Sequence, residues 1–401
     1  MVNEVVLNEF QSKIFEKISK NEVDDFKALL AVCKDTVNFV DKNGMTPLQH
    51  ACYKGNKEIV QMLLDQGADV NYSQHGAGYT SLHFAALSGN TDVCVLLLDA
   101  GVNANTLNSV SRTAAQMAAF VGNHQCVATI NNHISKSEIE CYTKLQGHQT
   151  EPYLQPILLD NFHRFVIQIN IHPVRVALNL QKYSLSDHLK SVNKVLELMM
   201  EKEMQKKYDV NELMAYKYHY LSWIVKEIMR CQEHFQNAKK DNKTDSSNEG
   251  KHDFIELFAK RVLKENKLGQ LDYLEYTIRD CAREFPYREC TIFRQVVSQL
   301  ANKDSLPALD ILKNAINGSR GFVDDITFCS SCGEEKPDKK CSKCKQVQYC
   351  DRECQRLHWF MHKKNCARPT SASASASGSQ SAKKDIDAND IREQLQNLVA
   401  S

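Results

Sequence analysis

Eight cysteine and histidine residues near the end of the chain constrain its fold most strongly. They form four pairs within thirty-eight residues, spaced Cys-x2-Cys, Cys-x2-Cys, Cys-x3-Cys and His-x3-Cys. Pairs with these spacings hold zinc from a tight turn or from one turn of helix, so eight ligands predict two four-ligand sites. A segment this short has almost no hydrophobic core, and metal binding must therefore supply most of its folding energy. The predicted ligands are Cys329, Cys332, Cys341, Cys344, Cys350, Cys354, His362 and Cys366.

The predicted zinc ions are structural, because four protein ligands leave no coordination position for water or a substrate. A redox role for either Cys-x2-Cys pair is disfavoured, since the other ligands accompany it. Residues 329–366 hold nine Lys/Arg and five Asp/Glu, while seven thiolates with two Zn²⁺ contribute three negative charges. The lysines therefore mostly neutralise metal-bound sulfur, and we expect no nucleic-acid partner.

The rest of the chain has the composition of an ordinary globular protein. Its 401 residues allow two or three domains, and a net charge of +1 does not indicate a nucleic-acid or membrane-surface binder. The N-terminus does not read as a secretory signal, and no apolar run approaches the ~20 residues of a membrane span. The eight cysteines outside the array stand singly among apolar residues, as free thiols do in a reducing cytosol. These patterns favour a cytoplasmic protein without membrane insertion, and a nuclear location is compatible with them.

The N-terminal third contains an internal repeat. Successive copies carry Thr46, Thr80 and Thr113 near their start, and each Thr is followed by apolar and alanine-rich positions and then by a glycine. A threonine at this position caps a first helix, alanines let that helix pack closely, and glycine turns the chain into a second helix. The third copy lacks the Pro and Leu of the first and the later double Leu. It is expected to be the last, modified repeat.

These copies resemble ankyrin repeats, which recur about every 33 residues with a Thr-Pro-Leu-His signature. The resemblance implies an ankyrin stack over 41–135, with a helical cap over 1–40, and a structural hydrogen-bonding role for His83. The variable positions beside each signature would form a strip that binds proteins, or else several of them are half-buried contacts within the stack. These positions are Met45, Tyr53, Tyr79, Leu87, Arg112 and Phe120.

Residues 136–320 show apolar positions at helical spacing, interrupted by Pro173, Pro286 and Pro307. They predict about seven helices, either as a bundle or as a continuation of the stack. No phosphate-binding loop, nucleophile elbow or His-Glu-x-x-His motif is present. The whole chain is thus expected to be mostly α-helical and not an enzyme.

The cysteine array, together with Tyr349, Gln355 and the His358-Trp359 pair, resembles a MYND zinc finger over 325–367. In that family the ligand pairs interleave and His358 falls on a position that does not bind metal. The resemblance assigns Cys329, Cys332, Cys350 and Cys354 to one zinc, and Cys341, Cys344, His362 and Cys366 to the other.

MYND fingers bind short proline-containing peptides beside a short strand, so the resemblance also implies a peptide site. Alternatively, Trp359 only completes the finger's small core. The expected peptide-binding residues are Gln346, Val347, Gln348 and Tyr349 on the strand, with Gln355 and Trp359.

The last residues, 368–401, begin with a Ser/Ala-rich stretch that predicts disorder. Further on, Ile391, Leu395, Leu398 and Val399 fall on one face of a possible short helix that begins near Asp387. The sequence is compatible both with a helix that docks on a partner and with a tail that has no function.

The order of these modules resembles the family of ankyrin-repeat and MYND-domain protein 2. That resemblance implies a non-enzymatic adaptor that helps membrane receptors or guanylyl and adenylyl cyclases to reach the primary cilium, with an immunophilin-type or other trafficking partner. A nuclear corepressor adaptor that binds proline-containing peptides through the finger is the alternative. MYND fingers also occur within SET-domain lysine methyltransferases, but no stretch here resembles a SET domain.

Overall fold

The computed structural model describes residues 8–31, 37–147, 149–207, 210–241, 254–302, 306–318 and 326–366. Helices predominate in these residues, and the only regular strands among them are two of two residues each, so the prediction of a mostly helical fold is confirmed. The expected disordered tail and its possible helix lie outside the described residues. Contacts divide the chain into two compact units, one ending at Ser135 and the other beginning at Lys136.

The helices of the first unit are α1 (Glu9–Lys20), α2 (Val23–Ala31), α3 (Pro47–Lys54), α4 (Lys57–Asp65), α5 (Ser81–Ser88), α6 (Thr91–Asp99), α7 (Ala114–Phe120) and α8 (His124–Asn132). Those of the second unit are α9 (Lys136–Glu140), α10 (Leu159–Val166), α11 (Pro173–Lys182), α12 (Leu189–Met204), α13 (Glu212–Asp241), α14 (Phe254–Val262), α15 (Asp272–Arg283), α16 (Thr291–Ala301), α17 (Ala308–Asn317) and α18 (Arg352–Asn365). Its strands β1 (Lys339–Lys340) and β2 (Gln348–Tyr349) pair antiparallel.

The first unit is a stack of helix pairs. The leading helices α1, α3, α5 and α7 contact one another in succession, and so do the second helices α2, α4, α6 and α8. The pair α1–α2, interpreted from sequence as a cap, therefore occupies the same place in the stack as the pairs that follow. The third sequence copy forms the pair α7–α8 in spite of its weaker signature.

Reciprocal hydrogen bonds begin every leading helix, and in α1 they join Asn8 and Gln11. The Thr80 hydroxyl accepts from the backbone N–H of His83, and the His83 ring accepts from the Thr80 backbone N–H, which is a capping box. Nε2 of His83 lies 3.0 Å from the carbonyl of Arg112 in the next repeat. Thr46 with Gln49, and Thr113 with Gln116, form the same box. His83 thus has the structural role expected for it.

Glycines and asparagines join consecutive pairs. Gly89 ends α5 in the left-handed region at φ +75°, and a Cβ there would lie 2.9 Å from Oδ1 of Asn123. Nδ2 of Asn123 in turn donates to the carbonyl of Ala86 at 2.9 Å. Each repeat is thereby hydrogen-bonded to the next at the turn between its two helices.

The second unit is built around the long helix α13. This helix contacts α11, α12, α14, α15, α16 and α17, so these helices form a bundle rather than a continuing stack. Tyr216, Tyr220, Phe258 and Phe285 are among its largest fully buried side chains. No helix in the described part of the chain is both long enough and apolar enough to cross a membrane.

The segment between α10 and α11, residues 167–172, has no regular structure and is held by side chains of α13 and α17. We call it the anchored segment. The donors and their acceptor carbonyls are Lys217 Nζ to Gln168 at 2.7 Å, Asn317 Nδ2 to Ile169 at 3.0 Å and Tyr220 Oη to Ile171 at 2.8 Å. Because three of its carbonyls are fixed in this way, the segment offers a rigid surface to whatever packs on it.

Candidate metal centre and partner surfaces

Two tight turns bring the first four cysteines into position. In the first, the Cys329 N–H donates to Glu334, the Gly333 N–H donates back to Cys329, and Gly333 has φ +64°. In the second, the Cys341 N–H donates to Val347 at 3.0 Å, beside the β1–β2 pair. Each turn thus directs a Cys-x2-Cys pair towards one point.

The remaining ligands lie on helix α18 or directly beside it, and the first of them, Cys350, stands between β2 and the helix. The Asp351 side chain caps it by accepting from the Cys354 N–H at 2.8 Å, which places Cys354 in the first turn. His362 lies two turns further along the helix and Cys366 directly follows its end. A single helix therefore contributes to both metal sites.

The ligand atoms form two groups, each with all its members within 4.8 Å of one another: Cys329, Cys332, Cys350 and Cys354 in the first, and Cys341, Cys344, His362 and Cys366 in the second. These are the two interleaved sets that the resemblance implied.

Distances within the groups fit zinc. A tetrahedral site with sulfur about 2.3 Å and nitrogen about 2.0 Å from the metal has S···S edges of about 3.8 Å and S···N edges of about 3.5 Å. In the first group, Sγ of Cys332 lies 3.6 Å from that of Cys350 and 3.7 Å from that of Cys354. In the second, Nε2 of His362 lies 3.5 Å from Sγ of Cys344. The groups therefore hold two structural Zn²⁺ ions.

The surroundings of Cys341 favour the thiolate form that zinc requires. The backbone N–H of Cys344, with hydrogen bonds from His362 and the Lys343 N–H, outweighs burial and lowers the pKa of Cys341 to about 6. His358 has another role, since its Nδ1 lies 3.0 Å from the hydroxyl of Tyr349 and it belongs to neither ligand group.

The finger packs on the helical bundle through the anchored segment and the start of α11. Nδ2 of Asn170 donates to the carbonyl of Cys332 at 3.0 Å and to Oε2 of Glu334 at 2.9 Å. Nη2 of Arg175 lies 3.3 Å from Sγ of Cys350 and 3.0 Å from the same Glu334 oxygen. A metal-binding cysteine thus receives a hydrogen bond from the helical domain.

Two further contacts extend this interface. A Cβ at Gly333 would lie 3.1 Å from Cδ2 of His172, so glycine allows the finger to approach the bundle closely. Arg356 of α18 pairs with Glu256 of α14. The sequence interpretation found no chemistry in the helical region, and it missed Asn170 and Arg175 because no spacing motif connects them to the cysteines.

The predicted peptide-binding residues do not all lie on the surface. Tyr349 is buried in the finger, and the strand predicted near 346–349 is shorter, since only Gln348 and Tyr349 are extended. The Gln348 carbonyl already accepts from the Ser330 N–H at 3.0 Å. Gln346 is exposed, Val347 and Gln355 are half-buried, and Trp359 is 43% exposed. That exposure argues against Trp359 as a core residue of the finger.

The prediction of an exposed ankyrin strip is wrong for three of its six residues, because they are buried. Met45, Tyr79 and Leu87 are buried in the stack, so they belong to the stacking contacts that were the alternative. Their repeats are each followed by another repeat that covers them. Tyr53 is half-buried and packs edge-to-face on Phe84 with ring centroids 6.2 Å apart.

The remaining two positions belong to an exposed patch in the last repeat. The Arg112 guanidinium lies 4.9 Å from the centre of the Phe120 ring, and Phe120 is 50% exposed. Leu107 and Val110, 56% and 61% exposed, lie in the loop before Arg112 and were missed by the sequence interpretation. We call these four residues the last-repeat patch.

Comparisons with known proteins support both modules. A family model of three ankyrin repeats matches residues 15–108, and the MYND finger model matches residues 329–366. The ankyrin match includes most of the pair α1–α2 and ends before α7. Ankyrin repeats and MYND fingers are interaction modules, which makes the chain a protein-interaction adaptor with protein partners.

Relatives of two kinds are found. Zinc finger MYND domain-containing protein 10 homolog of Drosophila melanogaster is 41% identical over 51 residues, 13% of this chain and 11% of that protein. SET domain-containing protein 14 of Caenorhabditis elegans is 42% identical over 41 residues, 10% of each. Dauer abnormal formation protein 25 of Caenorhabditis elegans is 33% identical over 368 residues, which are 89% of this chain and 90% of the relative. Because that last similarity runs through nearly all of both proteins, the chain belongs to the family of ankyrin-repeat and MYND-finger proteins that includes dauer abnormal formation protein 25.

Proposed function

We propose that this chain is a non-enzymatic adaptor of the ankyrin-repeat and MYND-domain protein 2 type, which assists transport of membrane receptors or guanylyl and adenylyl cyclases to the primary cilium. It would act in the cytoplasm and at the cilium, with an immunophilin-type or other trafficking partner. The ciliary part of the proposal is supported by the resemblance in module order. The adaptor part is supported by the closed metal sites and by the exposed surface of the ankyrin unit.

The last-repeat patch is the observation that carries the cargo-binding role. Leu107, Val110 and Phe120 are large apolar side chains that are at least half exposed, and Arg112 lies over the Phe120 ring. Exposed apolar residues next to an arginine are typical of protein-binding hot spots. Cargo that presents apolar side chains with a carboxylate would fit this surface.

Cargo capture by the full-length chain tests the role. Val110→Ser with Phe120→Ser should reduce co-precipitation of cyclases from ciliated cells at least tenfold, because a single hot-spot truncation already costs ~2 kcal/mol and ~1.4 kcal/mol is a factor of ten. Tyr276→Ser, which alters a residue 69% exposed in the second unit, is the matched control. Undiminished capture by the double variant would rule out the patch as the cargo surface.

A second candidate function is that of a nuclear corepressor adaptor, favoured by the exposed Trp359. Gln355 lies one turn before Trp359 on α18, and the Trp359 ring packs edge-to-face on His362 at 5.8 Å between centroids. A half-exposed indole on a rigid helix suits a peptide proline. The full-length chain should bind a fluorescent proline-containing peptide, with loss in Trp359→Ala and retention in the exposed-aromatic control Phe328→Ala. A chain that binds no such peptide argues for the first candidate.

A further inference from the structure

A groove of about 470 Å³ lies where the finger helix α18 meets helices α13 and α14. Its floor is apolar and consists of Phe235, Leu257, Phe360 and Met361, all of them half-buried. This volume is within the range of sites that bury the apolar part of a ligand. The groove exists because the finger packs on the bundle, since neither module alone provides its walls.

The rim of the groove is strongly basic. Four cationic side chains and one carboxylate line it, and His234 adds a titratable ring. The cations are Lys260, Arg261, Lys264 and Lys364, and the carboxylate is that of Glu265.

Only part of this positive charge is neutralised within the protein. Lys260 pairs with Glu256 at 2.7 Å, whereas Arg261 donates only to the uncharged Sγ of Cys231 at 3.6 Å and keeps its positive charge. Within the described ranges, Lys264 and Lys364 form no ion pair, although they stand on opposite modules of the same groove. Among the described residues, the site therefore combines an apolar floor with three cations that form no ion pair, Arg261, Lys264 and Lys364.

We propose that this groove docks an acidic segment of a partner protein, with an apolar side chain on the floor and carboxylates that pair with Lys264 and Lys364. Charge complementarity selects this occupant, because like-charged partners are rejected and acidic ones are attracted. A nucleic acid fits poorly, since its backbone would place phosphates on the four apolar side chains of the floor.

The groove is separate from the other surfaces. Phe360, Met361 and Lys364 share one face of α18, whereas Gln355 and Trp359 lie on the opposite face. The last-repeat patch lies in the other unit. The proposal consequently goes beyond ciliary transport, and failure of the cargo experiment leaves it unaffected.

Fluorescence anisotropy of the full-length, zinc-loaded chain tests it. The probe is a fluorescein-labelled peptide with leucines flanked by aspartates and glutamates, and its partner peptide has asparagine and glutamine in place of the acids. Saturable binding of the acidic probe is expected. Lys264→Glu should weaken binding about fivefold and Leu257→Ser about tenfold, as rim charges contribute less than buried apolar contacts.

Lys267→Glu is the matched control, because Lys267 is an exposed lysine nearby that does not line the groove. No saturable binding, equal binding of the neutral peptide, or an equal effect of Lys267→Glu would each overturn the proposal. Zinc content and circular dichroism establish that the variants are folded. If Leu257→Ser unfolds, the proposal is tested by comparing the affinity of Lys264→Glu for the acidic probe with that of Lys267→Glu.

A competing occupant is the chain's own C-terminal sequence. Asp385, Asp387 and Asp390 precede Ile391 and Leu395 there, so this sequence is also acidic and apolar. If the probe binds only after the chain is shortened to residue 370, the groove is filled from within the chain and a partner protein is not its occupant. Equal binding by the full-length and shortened chains supports the proposal.

Discussion

Nη2 of Arg175 contacts both Sγ of Cys350, at 3.3 Å, and Oε2 of Glu334, at 3.0 Å. Burial of the guanidinium lowers its pKa, but the nearby Cys332 and Glu334 outweigh burial and raise it. Arg175 therefore stays charged between the bundle and the first zinc site. A cation beside zinc-bound sulfur stabilises the excess negative charge of a four-thiolate site.

Arg175→Ala should lower the zinc affinity of the first site about tenfold, the lower end of the effect of removing a ligand's hydrogen-bond partner. Competition with a chromogenic chelator measures this affinity in the full-length chain. Arg175→Lys keeps the charge but offers a single nitrogen, so an intermediate loss is expected. Equal zinc affinity in all three chains would contradict a stabilising role for Arg175.

Cys350→Ala should remove one of the two zinc ions and unfold the finger, because the remaining three thiolates no longer close a site. Limited proteolysis should then cleave within 326–366, while helices α1 to α8 resist. Cys290→Ala alters a buried thiol outside the finger and is the control. A finger that stays resistant after loss of its metal would show that packing on the bundle alone maintains it.

Lys217 gives the second unit a distinctive pH dependence. Its side chain is 0% exposed, and burial lowers its pKa well below 10.5. The folded state then holds a neutral amine while the unfolded chain binds a proton, so the unfolding free energy rises with pH between the two pKa values. This contribution is up to about 1.4 kcal/mol per pH unit and ends near pH 10.5.

Lys217→Met should remove that contribution. Urea unfolding at pH 8, 9 and 10 is expected to show a stability difference, wild type minus variant, that grows with pH. The matched control is Lys226→Met, which alters a half-exposed lysine on the same helix that pairs with Glu197. Parallel pH profiles for wild type and Lys217→Met would mean that the buried amine is protonated in the folded state.

Asp41 should contribute acid-sensitive stability to the first unit. Burial raises the pKa of its carboxyl, but hydrogen bonds from His50 and the N–H groups of Met45 and Asn43 outweigh burial and hold the pKa below 3.8. A carboxyl with a depressed folded pKa stabilises the fold above its unfolded pKa. That stability is lost as the pH falls through the folded value.

Asp41→Asn should therefore lower the free energy of unfolding by about 1–2 kcal/mol at pH 7. This difference between wild type and variant should be smaller at pH 3. Urea unfolding followed by circular dichroism at pH 7, 5 and 3 measures it. Asp69→Asn is the control, since Asp69 lies in the equivalent loop of the next repeat and is exposed. An unchanged difference at pH 3 would show that the carboxylate charge of Asp41 is not what stabilises the loop.

The zinc ligands were predictable because spacing is a local property. Each pair lies within one turn of chain or helix, so the sequence directly reports which side chains can meet. The resemblance then supplied the interleaving, which spacing alone left open. The repeat was predictable for the same reason, since Thr46, Thr80 and Thr113 recur with the period of one helix pair.

The joint between finger and bundle could not be predicted in this way. Arg175 and Cys350 are 175 residues apart, and Asn170 and Cys332 are 162 apart, with no motif between them. Which positions of the ankyrin unit are exposed could not be predicted from the sequence for a related reason. Tyr79 and Arg112 hold equivalent positions before a capping Thr, but a following repeat of the stack covers only Tyr79. Burial there depends on the neighbouring repeat and not on the residue itself.

The anchored segment makes the finger a poor candidate for transplantation. A finger excised at residues 325–367 would lose Asn170, Arg175 and the His172 surface under Gly333, three features that its own sequence does not encode. The same segment is fixed from behind by Lys217, Tyr220 and Asn317. Grafting this finger onto another protein would therefore also require the anchored segment and the helices α13 and α17 that hold it.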